Sequence, residues 1–275
     1  MAGKSSEGDY LANGFRNVDG QATFEKFRTC LTFMDGLPSF QSYKAEMMRR
    51  LDLRPGHRVL DVGCGLGFDV DRVADCVGPE GEAVGVDLSR GFVDAATSRN
   101  SGGSSRARFV VGDAHQLDFE DEAFDACRVD RSLQHFENPK RVISEMCRVL
   151  RPGGRIVCAE PDWGTFTIAS PDRPKVRRIV EVWSDRFRHG WIGRELFGLL
   201  HATGLADIEI TGHLLVAEGF SAVDTVFDVR RTVDVLAETD DAQQFRDWLA
   251  DLLASDVGCP VIATVTLFLV SGRRN

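Results

Sequence analysis

V-L-D-V-G-C-G-L-G-F, residues 59–68, is the stretch from which the rest of the chain is best read. An apolar run carrying Asp61 passes into a turn with glycine at 63, 65 and 67, and a helical pattern opens at Phe68. Glycine reaches positive φ and leaves no side chain between the backbone and a ligand. A strand, a glycine turn and a helix in that order mark the carboxyl edge of an open parallel sheet, where such sheets bind ligands. A dinucleotide fingerprint needs G-x-G-x-x-G, and position 68 is Phe68; a P-loop needs G-K-[ST], which does not follow. The pattern here is G-x-G-x-G behind a carboxylate. That carboxylate suits a ligand bearing an ammonium or sulfonium better than a pyrophosphate.

Outward from this turn, short and nearly continuous apolar runs at 58–62, 83–88, 107–111, 124–129 and 155–160 read as strands buried on both faces. Helical periodicity fills the gaps at 68–77 and 91–99. It returns in Val142, Ile143, Met146, Val149 and Leu150, which Pro152-Gly153-Gly154 stop. Alternating strands and helices with short loops predict an α/β fold with a doubly wound parallel sheet. Before the first strand, residues 21–53 carry two amphipathic helical patterns, and 1–53 is expected to form an N-terminal helical lid. Residues 54–275 form the main domain, in which helices near 176–187 and 195–202 precede a strand near 208–216. Two helices within 221–255 make an insertion over about 217–259, and a last strand covers 261–270. The S-G-G-S-S run at 101–105 reads as a turn.

The balance of 33 Lys plus Arg against 42 Asp plus Glu gives a formal charge of −9, the wrong sign for a nucleic-acid partner. Hydrophobic residues at 43% and charged ones at 27% supply a core and argue against a disordered chain. The apolar stretch 261–270 is too short to span a bilayer, and the first ten residues lack the core of a signal peptide. A soluble, cytoplasmic protein with no membrane partner is expected. The cysteines at 30, 64, 76, 127, 147, 158 and 259 contain no C-x-x-C pair, so they read as buried free thiols and no metal is expected.

Two further aspartates end strands. Asp87, in A-V-G-V-D-L-S, is placed to accept both hydroxyls of a ribose; the competing reading is a helix cap, for which Ser89 is better placed. Asp113, in V-V-G-D-A, is placed to accept from an exocyclic amine while the Ala114 N–H donates to a ring nitrogen, as adenine requires. Asp61 to Gly67, Asp87, Gly112-Asp113-Ala114 and L-R-P-G-G at 150–154 together resemble the class I S-adenosylmethionine-dependent methyltransferases, and most closely their small-molecule branch. The resemblance covers roughly residues 40–165. It implies a Rossmann-like seven-stranded sheet whose last strand is antiparallel and inserted beside the fifth, and it implies S-adenosylmethionine as cofactor. It places Gly63, Gly65 and Gly67 around the methionine part, Asp61 toward the ammonium and Asp87 on the ribose. Leu88 falls beside the adenine, and Asp113 and Ala114 on its edge. Arg131 falls in the segment whose backbone meets the methionine moiety.

Transfer of a methyl group from a sulfonium is an in-line displacement with a good leaving group, so positioning does most of the work. A general base helps when the acceptor loses a proton. His135, in R-V-D-R-S-L-Q-H-F-E-N-P, is the candidate base; the alternative is that it packs against or caps the helix that starts at Pro139. The Arg131 side chain either meets an anionic group of the acceptor or pairs with Asp130 or Glu160. Tyr10, Phe15, Phe40, Trp163, Trp183 and Trp191 are the expected walls of an apolar acceptor pocket. The expected function is methylation of an O, N or C atom of a small molecule. The alternatives are a reaction such as cyclisation that uses bound S-adenosylmethionine as scaffold, and a nicotinamide-dependent oxidoreductase, which Phe68 and Asp61 disfavour.

Overall fold

Among the described residues, three helices precede the first strand: α1 (Leu11–Gly14), α2 (Gln21–Asp35) and α3 (Pro38–Arg50). The last two are the amphipathic pair read from 21–53, and Pro38 opens α3 because its missing N–H falls where no intrahelical bond is made. The computed structural model describes residues 10–15, 18–100, 107–237 and 242–275, so the S-G-G-S-S turn lies outside the described residues.

The alternating part follows. It runs β1 (Arg58–Val62), α4 (Phe68–Val77), β2 (Glu82–Asp87), α5 (Arg90–Asn100), β3 (Ala107–Val111), β4 (Phe124–Asp130) and α6 (Pro139–Val149). β1 lies between β2 and β4, and all these strands pair in parallel. Successive β1 residues serve opposite faces: Val59 joins the core shared with α4 and the N-terminal helices, and Leu60 the core shared with α6. Burial on both faces explains why the strands read as unbroken apolar runs.

β5 (Leu150–Ile168) is far longer than the run 155–160 suggested. It is extended by β7 (Ile262–Arg273), which pairs with it antiparallel past a register shift between Asp162 and Thr167. The Pro-Gly-Gly segment is drawn into this ladder, since Gly153 N–H donates to the Arg274 carbonyl and Arg274 N–H to the Gly154 carbonyl. After β5 come α7 (Arg173–Arg186), α8 (Ile192–His201) and β6 (Ala206–Glu218). β7 sits between β5 and β6, antiparallel to both, and the strand order is β3-β2-β1-β4-β5-β7-β6.

Between β6 and β7 the described residues form three helices where two were expected: α9 (Phe220–Phe227), α10 (Val229–Leu236) and α11 (Ala242–Ser255). The break is at Asp228, which is left-handed with φ 48°. Its carboxylate accepts the Leu11 N–H at 3.0 Å and the Lys26 ammonium at 2.9 Å, and Tyr10 shares a 2.7 Å hydrogen bond with Thr232. The N-terminal helices and the β6–β7 helices are thus tied to one another over the same edge of the sheet. No helix among the described residues is long and apolar enough to cross a membrane. All seven cysteines are free thiols, but Cys76 and Cys259 are exposed, against the expectation of burial.

Candidate functional site

A cavity of about 490 Å³ opens at the carboxyl ends of β1, β2, β3 and β4 and runs under α1 and α2. Its floor is the glycine turn. Gly67 heads α4 at φ 73°, and a Cβ there would stand 2.3 Å from the Phe109 ring. At Gly63, φ 71°, a Cβ would strike Ser132 Oγ at 2.5 Å. Both positions need glycine twice over, for conformation and for space.

Asp87 is held before any ligand arrives. One carboxylate oxygen accepts Gly65 N–H at 2.8 Å and the other accepts Ser89 N–H at 2.9 Å. Burial raises its pKa, and these N–H groups oppose the shift. Each oxygen keeps a lone pair for a hydroxyl. The helix-cap role falls to Ser89, whose Oγ accepts Phe92 N–H at 3.1 Å. Beside Asp87, Leu88 is 67% exposed at the rim, an apolar surface of the kind a flat base covers. At the next tip, Asp113 Oδ1 accepts both His115 N–H (2.9 Å) and His115 Nδ1 (2.7 Å). The His115 amide is the main reason its pKa lies below the usual carboxylate range. Ala114 is buried at the cavity wall.

Asp61 is not alone. Arg128, 1% exposed inside the sheet, is its register partner across β1 and β4, and its Nη1 reaches Asp61 at 2.9 Å and Asp69 at 3.0 Å. Nη2 reaches Asp130 at 3.3 Å. Lys44 of α3 adds contacts to Asp69 at 2.8 Å and Asp35 at 2.9 Å, and Arg72 of α4 bridges the same two carboxylates. Burial lifts the Asp61 pKa to about 7 although Arg128 pulls it down. Asp69 is buried too, but Arg128, Lys44 and Arg72 outweigh burial and hold it well below the carboxylate range. This cluster went unread in the sequence. An arginine inside an apolar strand was its signal, because a buried guanidinium requires carboxylate partners.

Arg131 follows with φ 53°, a conformation uncommon for a residue with a side chain. Its N–H donates to the Ala159 carbonyl at 2.7 Å. Of the two expected partners it meets Asp130, with Nε at 3.3 Å, and its guanidinium lies 5.0 Å over the Phe40 ring at the cavity wall. Glu160 serves the loop instead. Its Oε1 accepts Ser132 N–H at 2.8 Å and Leu133 N–H at 2.6 Å, and its Oε2 is buried with no partner among the described residues. Burial pushes the Glu160 pKa up to about 8, past what those amides restore. Gln134 completes the loop by donating to the Arg131 carbonyl at 2.9 Å and accepting Trp163 Nε1 at 2.6 Å.

That loop presents His135 to the cavity. Its ring lies 5.1 Å from Phe15 and 5.6 Å from Phe187, and Phe187 stacks on Trp163 at 4.7 Å. The capping of α6 falls to Asn138, which accepts Arg141 N–H at 3.1 Å, and His135 packs between Phe15 and Phe187. Phe15, Phe40 and Trp163 line the cavity as expected of walls. Tyr10 and Trp183 do not: both are buried behind it, in edge contact with each other at 5.6 Å. Trp191 is 53% exposed and faces Arg194. Phe187, at the end of the helical stretch read near 176–187 and not among the expected walls, also lines the cavity.

A family profile described as a methyltransferase domain matches residues 53–188, the span that carries all these strand tips. The chain belongs to the class I S-adenosylmethionine-dependent methyltransferases. Two curated relatives frame this membership. An uncharacterised 37.1 kDa transposon protein of Streptomyces fradiae is 37% identical over 84% of this chain and 66% of its own length. A demethylmenaquinone methyltransferase of Bacillus cytotoxicus is 35% identical over 52% of this chain and 62% of its own length. The chain thus spans about two thirds of the curated relatives it matches. Among solved structures, the [4+2]-cyclase SpnF is 26% identical, with a TM-score of 0.51 over 86% of this chain and 81% of that one. The family's cofactor is S-adenosylmethionine, and the residues present fit it. The glycine turn lines the cavity floor, and Asp87 is oriented with free lone pairs beside an exposed apolar rim.

Proposed function

We propose that this methyltransferase-family chain transfers the methyl group of S-adenosylmethionine to an O, N or C atom of a small, ring-bearing apolar acceptor. The observation that carries the reading is the single cavity joining the glycine turn and the Asp87 and Asp113 tips to an aromatic chamber, with His135 on the shared wall. Asp87 holds the ribose hydroxyls, Asp113 and Ala114 the adenine edge, and Leu88 covers its face. Asp61 faces the ammonium, with Arg128 behind it fixing the carboxylate. Bound S-adenosylmethionine supplies a methyl carbon made electrophilic by its sulfonium. The protein's own part is alignment and proton removal. Phe15, Phe187 and Trp163 hold the acceptor and exclude water, and His135 takes the proton the acceptor loses.

The relative named for demethylmenaquinone supports a ring-bearing acceptor, and the aromatic chamber is built for one. The neighbour named as a cyclase supports a second reading, in which the same pocket hosts a cyclisation with no methyl transferred. Incubation with methyl-labelled S-adenosylmethionine and a panel of phenols and naphthoquinols separates them. Label on an acceptor, with matching S-adenosylhomocysteine, supports transfer. An acceptor converted without label supports the second reading, and failure of calorimetry to detect S-adenosylhomocysteine binding overturns both.

A further inference from the structure

His115 sits between the tip that would read the adenine and the helix that follows the His135 loop, and both of its ring nitrogens are committed. Asn138 N–H, a backbone donor, points at Nε2 at 3.1 Å, so Nε2 is an acceptor and carries no proton. The proton is therefore on Nδ1, which donates to Asp113 Oδ1 at 2.7 Å. The same oxygen accepts the His115 amide at 2.9 Å, and the His115 carbonyl accepts Arg141 Nε at 3.1 Å. The ring edge rests on Phe136 with centroids 5.9 Å apart. His115 is thus fastened at both nitrogens, at its amide and at its carbonyl. Asp113 is fastened through one oxygen only, which leaves Oδ2 to a ligand.

From this geometry we infer that His115 determines the base specificity of the cofactor site, by fixing the Asp113 carboxylate so that Oδ2 accepts only from an amine. The inference rests on the cofactor reading above. A carboxylate free to rotate turns away from a base that offers no donor. One pinned through Oδ1 keeps Oδ2 facing the base edge. Adenine presents its exocyclic amine there and donates; hypoxanthine presents a carbonyl oxygen, and two acceptors meet at a cost. His115 is a positioning residue, and its role is separate from packing because its amide N–H stays on Oδ1 in every variant at this position, whereas the Nδ1 donor is the second anchor that only the side chain supplies.

The test compares S-adenosylhomocysteine with its deaminated counterpart S-inosylhomocysteine by calorimetry on the full chain. Asparagine at 115 sets its amide nitrogen close to where Nδ1 stands, whereas the amide of glutamine reaches toward Asn138 and cannot donate to Asp113. His115→Asn is expected to keep the wild-type preference for the amine within about threefold. His115→Gln and His115→Ala are expected to lower that preference by about tenfold, the loss of one hydrogen bond to a charged group. An unchanged preference in His115→Ala, or equal loss in the Asn and Gln variants, would overturn the inference while the cofactor reading stands. Failure of the wild-type chain to bind S-adenosylhomocysteine would overturn the cofactor reading first. Thermal unfolding of each variant shows whether weaker binding follows from loss of fold.

Discussion

Asp61, Asp87 and Asp113 are the same residue type at three neighbouring strand tips, yet their surroundings give them different tasks. Asp113 is mostly exposed and paired to His115, so it stays ionised. Asp87 is half-buried and braced by backbone N–H groups, so its geometry is set before a sugar arrives. Asp87→Ala is expected to weaken S-adenosylhomocysteine binding by ten- to a hundredfold, since two hydrogen bonds to a charged acceptor are lost; calorimetry reads it directly. His135→Asn keeps the ring contacts only in part and removes the base. Turnover should fall by about a hundredfold or more while S-adenosylhomocysteine affinity moves less than twofold. Wild-type turnover in that variant would end the base assignment.

Among the elements, β4 and its following loop carry the most consequence. Arg128 places a charge inside a strand where Asp61, Asp69 and Asp130 converge from β1, α4 and β4. Arg128→Met leaves Asp61 buried without its cation, while Asp69 keeps Lys44 and Arg72 and Asp130 keeps Arg131, and is expected to cost about 3–5 kcal/mol in chemical denaturation, as broken buried pairs do. Glu160 sets a pH dependence whose sign follows from burial. Its folded pKa of about 8 exceeds the ordinary 4.5, so the folded chain holds an extra proton between those values. Stability from this group is complete below about 4.5 and is lost as pH rises toward 8. Asp61, raised from 3.8 to about 7, adds a loss of the same sign. Glu160→Gln should therefore show a shallower decline of unfolding free energy across this window. Parallel pH curves for variant and wild type would contradict it.

Across the whole molecule, the two flanking helical regions meet. Tyr10, Leu11 and Lys26 bond to the α9–α10 break at Asp228 and Thr232, and the aromatic chamber lies beneath. The N-terminal segment reaches the cofactor half as well, for Asp19 accepts Arg90 and Gly91 N–H at 3.2 Å and also bonds Ser89. Removal of residues 1–20 would consequently disturb both halves of the cavity. A cleaner separation comes from Phe187→Ala, which opens the acceptor wall away from the strand tips. The expected outcome is a rise of about tenfold or more in acceptor KM with S-adenosylhomocysteine affinity unchanged. Equal changes in both would place Phe187 on the cofactor side.

What the sequence determined by itself was everything carried by local pattern. The apolar runs fixed β1 to β4, because parallel strands covered on both faces leave a continuous signature. The glycine turn, Asp87 and Asp113 were legible because strand ends in such a sheet share one edge. Tertiary structure alone decided the length of β5, which depends on pairing with residues about a hundred positions later. It alone decided that Arg128 faces Asp61 across two strands, that Tyr10 and Trp183 lie behind the chamber, and that His115 clamps Asp113. The physical reason is common to all of these. Periodicity records which face of an element is buried, whereas the partner found there is set by how distant elements come together.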